Sequence, residues 1–339
     1  VKERKPVAAV YPENGAEISL LTEEMTKWVK KYKPSKLDKI CDFTEKCEPV
    51  PVVLSWDNTD GALYHNVFVA DNAEMKDAAV YLCNVPSLTL CDLYTGYEYY
   101  WQVVSEYEDT TVKSAVFSFK TLASPRTVAI DGVSNARDIG GYKTGDGKQI
   151  KRGIVYRGAD FERITEAGKN KLVKELGIKT ELDLRERTNR GPSPLGDDIN
   201  YVAVSGPWYD KAFINGYQND LLNELRVFAD ADNYPIYFHC SLGRDRTGTL
   251  AFLLEALCGV SKDDIYMDYE VSFFSDMSGY DDSTAPSAMV NVLDTFRQTV
   301  QNYAKGRSLS EAARAFLLEL GMTEAELDAI RANLLEDAR

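Results

Sequence analysis

Cys240 and Arg246 flank five residues in the run His239-Cys240-Ser241-Leu242-Gly243-Arg244-Asp245-Arg246-Thr247-Gly248-Thr249. An apolar run, Ile236-Tyr237-Phe238, precedes it, and a helix-forming run, Leu250-Ala251-Phe252-Leu253-Leu254-Glu255-Ala256-Leu257, follows. A cysteine at the end of a buried strand, a short loop, and an arginine opening a helix together suit attack on a phosphate ester. The backbone N–H groups of Ser241, Leu242, Gly243, Arg244, Asp245 and Arg246 can wrap a dianion at the helix N-terminus. The same positive field favours Cys240 as the thiolate, the nucleophilic form. Arg246 offers a planar fork for two phosphate oxygens at once. Thr247, directly after it, is placed to donate a hydrogen bond to the sulfur and ease its departure. Charge stabilisation comes from the arginine and the amides, so no metal or other cofactor is required. A chance pairing of cysteine and arginine would not bring His239, Gly243, Thr247-Gly248 and both flanks with it.

The elements that must position this loop follow from the texture of the chain. From Asn135 onward strands alternate with helices, as in an α/β layer fold. Strands are expected at 154–157, 180–184, 201–204 and 236–238, the last delivering the cysteine. Thr165 caps a helix that runs to Leu176 and ends at Gly177, and Ser261 caps another that continues through Tyr269. From Ser310 the tail is amphipathic helix, broken at Gly321-Met322-Thr323, where Thr323 starts the last helix. Earlier in the chain, 49–121 reads as β throughout: Val52, Leu54 and Trp56 alternate, as do Tyr97, Tyr99, Trp101 and Val103. Turn residues such as Asp60-Gly61 and Thr95-Gly96 separate these runs, which fits a small β-sandwich. Core packing accounts for the alternating aromatics better than a carbohydrate platform does. The first 48 residues are charged, with a helix expected at about 20–31 near Thr22 and Glu24. Leu122-Ala123-Ser124-Pro125-Arg126 reads as a linker. The expected division is an N-terminal segment 1–48, a sandwich 49–122 and an α/β domain 126–339.

Leu54-Ser55-Trp56 and the run from Leu93 to Val103 resemble a fibronectin type III domain. The resemblance implies a core role for Trp56 and a tyrosine corner formed by Leu93 and Tyr99, with Thr95 where the family carries proline. Asn135-Ala136-Arg137-Asp138-Ile139-Gly140-Gly141-Tyr142, Tyr156-Arg157-Gly158, Asp183-Leu184-Arg185 and the cysteine loop, in that order, resemble the protein tyrosine phosphatase superfamily. The resemblance is narrower to bacterial members that include dual-specificity and lipid-phosphate enzymes, and Leu320-Gly321-Met322-Thr323 with Ile330-Arg331 fits the same group. It implies a phosphocysteine intermediate on Cys240 and a general acid that protonates the leaving oxygen. In the bacterial group an aspartate at the place of Asp245 is proposed for that task. The competing site is Asp210, in Ser205-Gly206-Pro207-Trp208-Tyr209-Asp210, where the superfamily usually carries a mobile acid loop, although the order differs from Trp-Pro-Asp. Asp138 and Arg137 are expected to brace loops, and Asp183 either to touch the site or to pair with Arg185. His239 is expected to order the cysteine backbone rather than act as a base. Lipid-active members carry lysine where Arg244 stands, which leaves phosphoinositides or inositol phosphates open beside the favoured phosphotyrosine substrates. A silent phosphate-binding adaptor or a sulfur-transfer enzyme fits less well, given the intact Cys240, Arg246 and Thr247.

With 339 residues the chain is long enough for two domains. A net charge of −14 and no long basic run argue against a nucleic-acid partner, so anion binding must come from a local pocket. No apolar stretch approaches a membrane span. The chain starts at Val1, which reads as processed or trimmed: a secreted or cell-surface protein after signal-peptide removal, or otherwise a cytoplasmic one. The sandwich is a candidate binder of a protein or carbohydrate partner. Cys41 with Cys47 and Cys83 with Cys91 have spacings compatible with disulfides or with free thiols, and Cys258 could guard Cys240 by a disulfide if near enough.

Overall fold

The computed structural model describes residues 5–338 except 35, 42–46, 58, 187, 189, 215 and 276–285. It comprises two compact units, one of residues 1–22 with 49–124 and the other of 23–48 with 125–339.

The first unit is all β. Its strands are β1 (Ala8–Tyr11), β2 (Ala16–Ile18), β3 (Val52–Asp57), β4 (Tyr64–Ala70), β5 (Ala79–Cys83), β6 (Ser87–Leu90), β7 (Glu98–Glu106), β8 (Thr111–Lys113) and β9 (Phe117–Thr121). One sheet has the order β1-β3-β6; the other has the order β2-β9-β7-β4-β5, with β8 added to β7. Alternation along β3 turns Val52, Leu54 and Trp56 inward. There they meet Val67 and Val69 of β4, Tyr99, Trp101 and Val103 of β7, and Phe119 of β9. The Tyr99 hydroxyl accepts a hydrogen bond from the Tyr94 N–H at 2.7 Å, and Leu93 packs on the same core. That is the tyrosine corner of a fibronectin type III-like sandwich. Trp56 lies 6.4 Å from Trp101 and Tyr99 stacks on Phe119 at 5.4 Å, so these aromatics fill the core.

The second unit is α/β. Its strands are β10 (Arg126–Thr127), β11 (Arg137–Asp138), β12 (Lys148–Ile150), β13 (Val155–Gly158), β14 (Thr180–Asp183), β15 (Asn200–Ala203), β16 (Ile236–His239) and β17 (Leu335–Asp337). The main sheet has the order β10-β11-β13-β16-β14-β15 and is parallel from β13 to β15. Its helices are α1 (Glu23–Lys30), α2 (Glu166–Asn170), α3 (Gln218–Ala229), α4 (Asp245–Cys258), α5 (Lys262–Glu270), α6 (Pro286–Gln301), α7 (Leu309–Leu320) and α8 (Glu324–Leu334). Every residue of β16 is buried, in keeping with its unbroken Ile236-Tyr237-Phe238 run in place of alternation, and the buried His239 that ends it is hydrogen-bonded to Glu181. Cys240 therefore leaves the C-terminal edge of the middle of a parallel sheet, the edge where such folds gather their ligands.

Local signals set most element ends. Thr165 accepts from the Gly168 N–H to start α2, which runs on through a π-helical turn at Lys171–Glu175. Ser261 caps α5, and α8 opens with a capping box at Thr323. The tail helix α7 starts from a capping box at Ser308, two residues before the expected Ser310, because only Ser308 has a glutamate, Glu311, three residues on. The first 48 residues are shared between the units: β1 and β2 join the sandwich, while α1 buries Met25 and Trp28 in the second unit, with Trp28 5.2 Å from Phe274. No disulfide joins any of the six cysteines. Cys258 ends the helix that Asp245 begins, so about 20 Å of helix rise separates it from the cysteine loop, and it cannot guard Cys240 by a disulfide.

Helix α4 is buried from Thr247 to Cys258, which forces a polar side chain, Glu255, into the interior. Neither of its carboxyl oxygens has a hydrogen-bond partner. Burial first, and then the Asp268 charge, push its carboxyl well above the usual glutamate range, against the pull of Arg157 and Arg137. Glu255 is thus neutral when folded and ionised when unfolded, so its contribution to stability is complete below the unfolded value and is lost as pH rises. Glu255→Gln removes this loss. Its melting temperature should rise relative to wild type by about 3 °C or more per pH unit above the ordinary glutamate value. A difference constant from pH 5 to pH 8 would show that Glu255 is not neutral in the folded protein.

Candidate active site

The cysteine loop is a tight connection. It passes from β16 straight into α4, whose first residue is Asp245, so Arg246 stands in the first helical turn. Gly243 has φ 71°, a left-handed conformation, and a Cβ there would lie 2.2 Å from the carbonyl of Gly158. Only glycine meets both demands. Gly158 is constrained in turn, since a Cβ on it would strike the Tyr237 hydroxyl at 2.1 Å.

A loop that turns its N–H groups inward toward an anion turns its carbonyls outward into protein, where they need donors. Asn135 Nδ2 donates to the Leu242 carbonyl at 2.9 Å, and Arg157 Nη2 donates to the Gly243 carbonyl at 3.0 Å. Both donors are held by one network. Asp268 on α5 accepts from Arg137 Nε at 2.9 Å and from Arg157 Nη1 at 2.5 Å. Arg137 Nη1 also holds the Asn135 side-chain oxygen at 2.6 Å. Arg137, Arg157 and Asp268 are all essentially inaccessible to solvent. Burial works against the Asp268 carboxylate, but the two guanidiniums overcome it and hold that group below the usual aspartate range. The sequence stretches around Asn135 and Tyr156 thus serve as the outer brace of the loop.

Within the loop, Cys240 is buried and Ser241, Leu242 and Gly243 find no acceptor for their backbone N–H groups among the described residues. Arg246 stacks 4.9 Å from the Trp208 ring, and its Nη2 donates to Glu186 at 3.1 Å. Its Nε is buried without a partner, and so is the Thr247 hydroxyl. Such unpaired donors are costly unless something accepts from them.

The two acid candidates sit differently. Asp245 is at the loop, where its Oδ1 accepts from the Tyr209 hydroxyl at 2.7 Å and from Arg244 Nε at 3.2 Å. Asp210 is exposed on a short 3-10 turn, Tyr209–Phe213. Arg244 is buried, paired with Asp245, and lies 5.7 Å from the Phe273 ring. Asp138 accepts from Arg126, Gly140 N–H and Gly153 N–H, each at 2.8–2.9 Å, and so ties turns together. Asp183 pairs with Arg185 through Nε and Nη2 and also accepts from Tyr201. Of its two sequence readings, the structure holds the ion pair. His239 directs Nε2 to Glu181 at 3.0 Å. Glu181, Asp183 and His239 place ligand-type atoms within 4.8 Å of one another, yet Arg185 and Tyr201 already occupy the Asp183 carboxylate. That cluster is a hydrogen-bonded network around the Asp183–Arg185 ion pair rather than a donor set shaped for a metal.

Sequence reasoning passed over Asp268, Tyr269 and Glu186. Asp268 had one legible signal: it interrupts the stripe Ile265, Tyr269, Ser272 that α5 and the following turn bury. A charge on a buried stripe must have a partner. Tyr209 and Tyr269 carry no local signal, because their contact spans sixty residues at 2.5 Å between hydroxyls.

Comparison with known proteins bears on this arrangement. The model of the tyrosine phosphatase family matches residues 128–336, more than half of the chain. A Cupriavidus necator protein provisionally named a tyrosine-protein phosphatase is 29% identical over 168 residues, 42% of this chain and 61% of its own length. A tyrosine-protein phosphatase of Nostoc commune is 29% identical over 140 residues, 34% of this chain and 47% of its own. The chain therefore spans less than two thirds of the length of either relative. Among solved structures, the core catalytic domain of the PP-IP phosphatase SIW14 from S. cerevisiae aligns with 52% of this chain and 94% of its own at 16% identity and TM-score 0.30. An Fn3-like protein from Clostridium thermocellum aligns with 21% of this chain and 76% of its own at 20% identity and TM-score 0.19. On the extent of the 128–336 match, the chain belongs to the tyrosine phosphatase family.

Proposed function

We propose that the second unit hydrolyses phosphomonoesters through a phosphocysteine on Cys240, with phosphotyrosine in proteins as the favoured substrate. The observation that carries this reading is the set of unpaired donors around Cys240: the Arg246 Nε, the Thr247 hydroxyl and the loop amides. An anion seated over the sulfur would satisfy the Arg246 Nε and the loop amides together, and the Thr247 hydroxyl is left to donate to the sulfur itself. Cys240 Sγ attacks phosphorus as the thiolate, and the phosphorus–oxygen bond to the leaving group breaks. Asp245 donates a proton to the leaving oxygen. It then takes one from the water that attacks phosphorus and expels the sulfur, whose departure Thr247 eases. Arg246 and the loop amides carry the equatorial charge in both steps.

Phosphotyrosine is favoured over polyphosphorylated substrates by Arg244. Its guanidinium is buried against Asp245 and Phe273, so its charge is already used inside the protein. Half-buried Trp208, stacked on Arg246, supplies an aromatic wall for a phenol. The sandwich stays a candidate binder of a protein or carbohydrate partner.

A panel of phosphotyrosine peptide, phosphoserine peptide, phosphoinositide and inositol polyphosphate tests the assignment. Turnover should be highest on phosphotyrosine, and a preference for an inositol polyphosphate would replace that reading with the alternative one. Cys240→Ser should lose at least about 10³-fold in kcat, and Arg246→Ala about 10²–10³-fold. Asp245→Asn should cost about 10²-fold on phenyl phosphate and little on dinitrophenyl phosphate, whose leaving group needs no proton. Asp210→Asn should leave both within about twofold; a leaving-group-dependent loss there would move the acid to Asp210.

A further inference from the structure

The turn after β15 (Ser205 to Phe213) is the place where an acid-bearing mobile loop was expected, yet its one acid, Asp210, faces solvent. What the turn brings inward is Tyr209. This residue has φ 49°, an unfavourable value for a tyrosine, and it is 5% exposed. Its backbone N–H donates to Thr249 Oγ1 on α4 at 2.8 Å. Its hydroxyl lies 2.7 Å from Asp245 Oδ1 and 2.5 Å from the Tyr269 hydroxyl. The next residue back, Trp208, stacks on Arg246. The turn is thus fastened to the cysteine loop at Arg246, Asp245 and the first turns of α4.

We infer that Tyr209 is a positioning residue for the general acid: its hydroxyl, itself accepting from Tyr269, orients the Asp245 carboxyl toward the leaving group. The inference rests on the assignment of Asp245 as the acid made above. The geometry of the carboxyl argues for it. Tyr209 and Arg244 both donate to Oδ1, and no donor among the described residues reaches Oδ2. A carboxylic acid that accepts on one oxygen holds its proton on the other, so Oδ2 is the atom that can give a proton to the departing oxygen and later take one from water. Burial, and then the neighbouring Tyr269, hold the Tyr209 hydroxyl protonated, which keeps it a donor. A side chain with 30% exposure, as at Asp245, would otherwise sample several rotamers at the mouth of the site. In place of swinging an acid over the substrate, this chain uses the turn to aim an acid that the cysteine loop already carries.

The test is Tyr209→Phe, which keeps the ring in its edge contact with Tyr269 and removes only the hydroxyl. It is measured on the full chain with phenyl phosphate and dinitrophenyl phosphate, beside Asp245→Asn and the double variant. Expected is a kcat loss of about tenfold on phenyl phosphate, a change within about twofold on dinitrophenyl phosphate, and no further loss when Tyr209→Phe is added to Asp245→Asn. Inhibition by inorganic phosphate should be unchanged within about twofold, which shows that the anion-binding loop is intact. Equal losses on both substrates, weakened phosphate inhibition, or full additivity with Asp245→Asn would each make Tyr209 a structural prop and overturn the inference. If Asp245→Asn is selective for the poor leaving group and Tyr209→Phe is not, the positioning role alone falls. If Asp245→Asn is itself indifferent to the leaving group, the acid assignment falls and the inference with it.

Discussion

A loop can present several N–H groups to one anion only if its carbonyls are directed the other way, and here the other way is the protein interior. Two carbonyls, those of Leu242 and Gly243, are satisfied by Asn135 and Arg157. The donors are fixed by Asp268, which accepts from both Arg137 and Arg157. Two guanidiniums and a carboxylate without solvent are tolerable because each is both ion-paired and hydrogen-bonded. The loop's shape, the approach of β13 and the seating of α5 all depend on this one buried network. It also explains the tightness around Gly243 and Gly158, where backbone segments approach too closely for a side chain.

The network places the loop, and the sheet places the network. The strand order β11-β13-β16-β14 brings Arg137 and Arg157 to one side of β16 and Asp183 to the other. On the Asp183 side a second set of contacts, the Asp183–Arg185 ion pair and the Glu181–His239 hydrogen bond, anchors the strand ends beside the cysteine. The sulfur therefore sits between two polar frameworks, one on each side of β16.

Much of this was legible from local pattern. The continuously apolar Ile236-Tyr237-Phe238, the glycine in the loop and the helix-forming run after Thr249 announce strand, turn and helix with no tertiary information. Trp56 and the Leu93–Tyr99 spacing likewise announce the sandwich, because the tyrosine corner closes over five residues. The assignment of residues 23–48 to the second unit was not legible, since Met25 and Trp28 give α1 an apolar face without saying what covers it. Arg244 reads from the sequence as a cation in the loop, and the fold adds the partners that no local pattern announces, Asp245 and the Phe273 ring.

The amino-acid sequence alone determined the chemistry-bearing loop, its strand and helix flanks, and the two architectures, because each is written in periodicity, glycine placement and contacts a few residues long. Tertiary structure decided which groups surround that loop. Arg137 reaches Asp268 across 131 residues, and Tyr209 reaches Asp245 and Tyr269 across 36 and 60. Such pairings depend on strand order and on where a turn is fastened. Neither leaves a mark in the local pattern, so the sequence shows that Asp245 and Asp210 are both acids, and only the packed turn shows which of them Tyr209 meets.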